Sequence, residues 1–115
     1  MNKTALFFAL MEVATANAEG FTVDAQTLKP ITKGFAVALA DTQNSFNGSG
    51  LIKVIDYVEN HPEVNAFGGW YDKESNKFYF DATVICNDRA TAEELGRRNN
   101  QIAIFDLGNL EEIRL

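Results

Sequence analysis

The chain has 115 residues, 46% of them hydrophobic and 23% charged, which is enough for one domain with its own core and too little for two. Ten basic against sixteen acidic side chains leave a net charge of −6, which argues against a non-specific grip on nucleic-acid phosphates or anionic lipid. A single cysteine, Cys86, excludes an internal disulfide, and no apolar run reaches the roughly 18 residues of a membrane-spanning helix.

The opening MNKTALFFALMEVATANAEG supports two readings. Lys3, the apolar run Ala5 to Met11 and the small-x-small triplet Ala16-Asn17-Ala18 follow the grammar of a cleavable export signal over residues 1–18. The same letters place Phe7, Leu10, Met11, Ala14 and Ala18 on one helical face, with Thr4 as N-cap, Gly20 as the stop and Glu12 off the stripe. The helix is favoured, because the apolar run is short and ends at Glu12 and the one cysteine lies in an apolar, strand-like stretch. It predicts a cytoplasmic protein; the alternative predicts an exported one.

SGLIKVIDYVENHP aligns Leu51, Val54, Ile55 and Val58 on one face, and Pro62 stops it. NDRATAEELGRRNN has Asp88 as N-cap, acids early and Arg97 and Arg98 late, the charge order the helix dipole favours, with Asn99 or Asn100 ending it in a left-handed conformation. Between these lie strand-like segments. GFAVALAD puts Phe35, Val37 and Leu39 on one face and alanines on the other, so its second face is exposed or very closely packed. VNAFGGWYD and KFYFDATVIC read as two strands joined by a tight turn, and IAIFDL with LEEIRL as a last pair. A short pattern recurs: Val23-Asp24 to Ile31 matches Phe105-Asp106 to Ile113, and Tyr71-Asp72 shares its first half, an Asp closing a strand and seeding a turn each time. The expectation is a single α+β domain over residues 1–115, an antiparallel sheet of hairpins with about three helices packed on it, in αββ-αββ-αββ order.

The chemistry-bearing candidates are sparse. Asp72 to Asn76 spaces oxygen ligands like a calcium loop but has Lys77 where the glycine belongs and Thr83 where the closing Glu belongs, so it reads as a hairpin turn. One His and one Cys give no zinc spacing, and Cys86 with His61 makes a poor nucleophilic pair, since His61 precedes Pro62 at a helix end. No catalytic residue, cofactor or metal is assigned. Asp81, flanked by Tyr79 and Thr83 in an alternating strand, is either a buried acid with a raised pKa or a polar residue on the open sheet face. Gly68-Gly69 marks a bulge or a close backbone approach, with Trp70 and Tyr71 pointing to opposite faces. Asp41 to Ser49 is the longest polar segment, and Gln43, Asn44 and Phe46 within it are candidate surface residues. The candidate ligand or partner surface is therefore Gln43, Asn44, Phe46, Trp70, Tyr71, Tyr79 and Asp81.

With GGWYD, LGRRNNQIAIFDL and EEIRL in view, the stretch Gly68 to Leu107 resembles small uncharacterised bacterial proteins, some of them associated with mobile elements, that carry a Gly-Gly-Trp strand and an LGRxNxQxAIFDL segment. The resemblance implies no activity and no site; it implies that Asn100 and Gln101 satisfy the backbone at a tight crossover. The leading expectation is a non-enzymatic interaction or accessory module, with a protein partner or homodimerisation through an open sheet face or edge, and with neither nucleic acid nor membrane as partner. The alternatives are a small ligand-binding domain or enzyme with its pocket under the 41–49 loop near Trp70 and Tyr79, and an acidic DNA mimic.

Overall fold

A computed structural model describes residues 2–115. Helix α1 (Lys3–Ala16) leads into strand β1 (Phe21–Asp24), and β2 (Phe35–Ala38) follows. A 3-10 turn (Ala40–Thr42) and the short β3 (Ser45–Phe46) then precede α2 (Asn47–Glu59). The hairpin β4 (Ala66–Asp72) and β5 (Lys77–Cys86), helix α3 (Arg89–Arg98), and the pair β6 (Ala103–Asp106) and β7 (Glu111–Arg114) complete the chain. The class is α+β: three helices and one seven-stranded antiparallel sheet, in the order β1-β4-β5-β2-β6-β7 with β3 also on β5.

α2 and α3 are each followed by two strands, as the sequence pattern requires, whereas α1 is followed by three, β3 being the addition, and β1 and β2 are not a hairpin. The β4–β5 hairpin is inserted between them. β1 closes its outer edge with its own continuation instead: Asp24 N–H donates to the Lys29 carbonyl at 2.9 Å and Ile31 N–H to that of Thr22 at 3.0 Å. Two caps also differ from the pattern. Asn2, not Thr4, caps α1 by accepting from Ala5 N–H at 2.8 Å, and the helix ends at Asn17, ahead of Gly20.

Strand register decides which face is covered. Val37 pairs with Val84 and Phe67 with Ala82, so Val37, Phe67, Phe80, Ala82 and Val84 share one face. Against it α1 and α2 bury Leu10, Ala14, Leu51, Val54 and Ile55, while α3 packs Ala92 and Leu95 beside Val37 and Ile104. Six of these side chains, Leu10, Val37, Leu51, Val54, Ala82 and Ala92, have no exposed surface at all, so this face is the core. The opposite face carries no helix. Its residues, in register, are Thr22, Gly68, Trp70, Tyr79, Asp81, Thr83, Ala36, Ala38, Ala103 and Phe105.

Among the described residues, no helix is long and apolar enough to cross a membrane. α1 contributes Leu10 and Ala14 to the core and is pinned to α2 by Lys3, whose ammonium lies 2.7 Å from Asp56 and 3.5 Å from Glu59.

Candidate functional site

Two adjoining cavities open on the helix-free face, and Asp81, Trp70 and Ala38 line both. The larger, about 740 Å³, is walled mainly by apolar groups, among them Ile31, Ala36, Ala103, Phe105 and Leu110. The alanines on one face of β2 are the reason there is room. They occupy sheet positions where a larger side chain would fill the hollow, and they answer the choice left by GFAVALAD: that face is open, not closely packed.

The smaller cavity, about 390 Å³, arises from a gap in the sheet. β2 follows β5 as far as Leu39, whose N–H donates to the Ala82 carbonyl at 3.0 Å; the chain then swings out and returns only where Ser45 pairs with Phe80. On this side of Asp81 there is therefore no neighbouring strand. The Thr42 hydroxyl fills in for it, accepting from Ala82 N–H at 2.9 Å, so the missing ladder bond is replaced by a side chain. Gln43 and Asn44 (φ 64°) lie on the excursion, and Gln101 faces them across the opening. The polar stretch read as one loop from Asp41 to Ser49 is in fact divided: a 3-10 turn, then β3, then the first turn of α2.

Asp81 occupies the junction. On β4 its partner is Gly68, where a Cβ would stand 2.7 Å from Asp81 Oδ1 and 3.0 Å from the Thr83 hydroxyl. The neighbouring Gly69 clears the other face, since a Cβ there would come within 2.5 Å of the Phe21 ring. The glycine pair thus marks two close approaches in an unbroken register; there is no bulge. Thr83 donates its hydroxyl to Asp81 Oδ1. Among the described residues no backbone N–H and no Lys, Arg or His side chain bonds to the carboxyl. Burial pushes the Asp81 carboxyl up from 3.8 to about 6, with the Thr83 hydroxyl pulling the other way. Gly68→Ala is expected to cost about 1–2 kcal/mol by crowding this carboxyl. Chemical denaturation of Gly68→Ala, Asp81→Ala and the double variant measures it, and the double variant should recover most of the loss.

Of the seven surface candidates, the structure brings Gln43, Asn44, Trp70, Tyr79 and Asp81 together around the smaller cavity. Trp70, 48% exposed, stacks on Tyr79 with centroids 5.4 Å apart. Phe46 stands behind them, edge-on to Tyr79 at 5.9 Å with the Lys77 ammonium 4.1 Å over its ring. Tyr71 does not belong. It alternates to the helix-covered face, meets Phe78 and donates its hydroxyl to Asn76. Thr42, Thr83, Gln101, Phe105 and Leu110 also line the cavities, although none of them is among the surface candidates read from the sequence.

Leu110 belongs to the recurrent Asp turn. Asp24, Asp72 and Asp106 each accept backbone N–H bonds from the turn that follows, and the residue four positions on is left-handed in all three: Leu28 at φ 60°, Asn76 at 58°, Leu110 at 54°. Asn tolerates that conformation, whereas Leu is strained in it. Both strained leucines line the larger cavity. Leu110, 77% exposed, gains little from burial, so Leu110→Asn is expected to raise thermal stability by about 1 kcal/mol in a calorimetric comparison. Leu28 packs against the core, and there the lost packing offsets the relief.

The remaining titratable candidates are occupied elsewhere. Burial, and then Asp88, push the Cys86 thiol above its usual value, and the side chain packs beside Val37 and Ala92. His61 stacks on Tyr57 with its Nδ1 2.7 Å from the Tyr57 carbonyl, capping α2. Asp88 caps α3 and Asn100 turns left-handed after it, while Asn99 and Gln101, rather than Asn100, supply the crossover's amide bonds. No group of three or more His, Cys, Asp or Glu among the described residues is placed to hold a metal ion.

No family model, curated protein or solved structure matches this chain.

Proposed function

We propose that the protein is a small-molecule-binding domain whose site is the paired cavity on the helix-free sheet face, with Asp81 as its polar anchor. The observation that carries this reading is Asp81 itself: a carboxyl set between two cavities, given room by Gly68, and bonded within the protein by one hydroxyl. A half-buried carboxylate with one donor inside the protein is costly, and sites of that kind concentrate where a bound group completes the bonding. The surroundings have the make-up of a ligand pocket: an apolar hollow from Ala36 to Phe105 with a few convergent polar groups at one end. These features support the ligand-binding alternative over the interaction module; among the described residues no second group in a defined role supports catalysis.

The test is an amide NMR titration of the labelled protein with indole. Shifts should cluster at Ala36, Ala38, Gly68 and Trp70, and Ala36→Phe, which fills the larger cavity from a strand position, should abolish them while leaving the fold intact. Shifts confined to the edge strand β7, with a concentration-dependent molecular mass, would return the protein to the self-association reading.

A further inference from the structure

Resting on that reading, we infer that the ligand carries a positively charged nitrogen, an amine or amidine on a flat apolar body, which pairs with Asp81 while the body lies against Trp70 and the alanine floor. Three observations converge. Among the described residues, the charged ones lining the larger cavity are Glu19, Asp81 and Glu112, those of the smaller are Asp72 and Asp81, and no Lys, Arg or His lines either. An anionic ligand would therefore meet only like charge on the cavity lining itself, the Lys77 ammonium beside it being held over the Phe46 ring. Second, Oδ1 of Asp81 is taken by Thr83 while Oδ2 accepts no hydrogen bond among the described residues, so the acceptor that remains is a carboxylate oxygen suited to a charged N–H donor. Third, the Trp70–Tyr79 stack stands at the same junction and offers an aromatic face to a cation or a flat ring.

The breadth of the larger hollow fits the same class. Most of its walls are apolar side chains, Ala36, Ala103, Phe105 and Leu110 among them, so the bulk of the ligand is apolar. The amides of Gln43, Asn44 and Gln101 lie around the smaller cavity, where they can bond any further polar substituent beside the cationic group.

The experiment uses matched sets on the full chain at pH 7.5: indole, tryptamine and indole-3-propionate, and in parallel benzamide, benzamidine and benzoate, each titrated by NMR and calorimetry. The expected result is that each cation binds at least tenfold more tightly than its neutral partner and that each anion binds more weakly than either. Asp81→Asn should bring the cations to within about twofold of the neutral compounds without weakening the latter. If the neutral compounds bind in an Ala36→Phe-sensitive way and the cations do no better, the charge inference is overturned and the binding site stands. If no member of either set shifts the residues around Asp81, the site and the inference fall together.

Discussion

Asp81→Asn is expected to stabilise the protein by about 2–3 kcal/mol at pH 8 and by almost nothing at pH 4, measured as denaturant midpoints across that range. The size follows from the carboxyl's rise from 3.8 to about 6 on folding, at about 1.4 kcal/mol for each pH unit. The folded state holds the Asp81 proton more tightly than the unfolded chain does. Between pH 6 and 4, folded molecules therefore bind more protons, and stability rises as the pH falls. Above pH 6 the carboxylate is ionised in a half-buried site that solvates it less well than water does, and the full cost is present. Asn keeps the shape and the Thr83 contact but carries no charge, so the variant should lack this slope.

The capping carboxyls work in the opposite sense and keep the two effects apart. The backbone N–H of Thr27 holds Asp24 below its usual value, that of Thr91 does so for Asp88, and the Asn109 side chain for Asp106. What they contribute is present above the unfolded carboxyl's titration and is lost as the pH falls below about 4. Wild-type stability should therefore pass through a maximum near pH 4–5, whereas Asp81→Asn should be flat from there to pH 8. An Asp81→Asn difference independent of pH would mean that the carboxyl is ordinarily solvated, and the anchor at the centre of the proposed site would be lost. A stabilising substitution at a site is the expected signature of function maintained against stability.

Periodicity and local capping made much of the fold legible. Leu51, Val54 and Ile55 have the helical spacing that the core of α2 uses, Asp88 caps α3 through Thr91, and Pro62 follows the end of α2. The two-residue period of β5 likewise separated Phe80 and Ala82 from Tyr79, Asp81 and Thr83. Long-range pairing was not legible. Nothing local tells that β1 pairs with β4 rather than β2, because β1's outer edge is closed by residues Lys29 to Ile31 and its inner edge by a hairpin more than forty positions on. The gap beside Asp81 was hidden for a related reason: Thr42 performs a backbone's hydrogen bonding with its side chain, so the excursion looks like any polar connection. Tyr71 was grouped with Trp70 because alternation puts neighbours on opposite faces without saying which face is covered. Three helices settle that, and they place Trp70 on the open side.

Removing residues 1–19 should abolish cooperative folding, and Leu10→Ala should cost about 3 kcal/mol within the 2–5 kcal/mol range of buried leucine truncations. Leu10 is wholly enclosed and Ala14 nearly so, in a cluster that also holds Val23, Leu51, Val54, Phe67 and Phe80. Without α1 the helix-covered face of β1 and β4 would lie open, and Phe21, which Gly69 was kept small to admit, would lose its cover. An apolar sheet face left bare drives aggregation in place of a soluble truncated fold. The graded variant guards the result: Leu10→Ala leaves the chain intact, so its loss in denaturant midpoint measures packing alone. Phe8→Ala is the control, because Phe8 lies on the same helix but is 62% exposed, and its removal should cost less than 1 kcal/mol. A truncated chain that stayed soluble and unfolded in one sharp transition, together with a neutral Leu10→Ala, would show that this segment is not a core helix, and would return the small-x-small triplet Ala16-Asn17-Ala18 to its reading as a cleavage site.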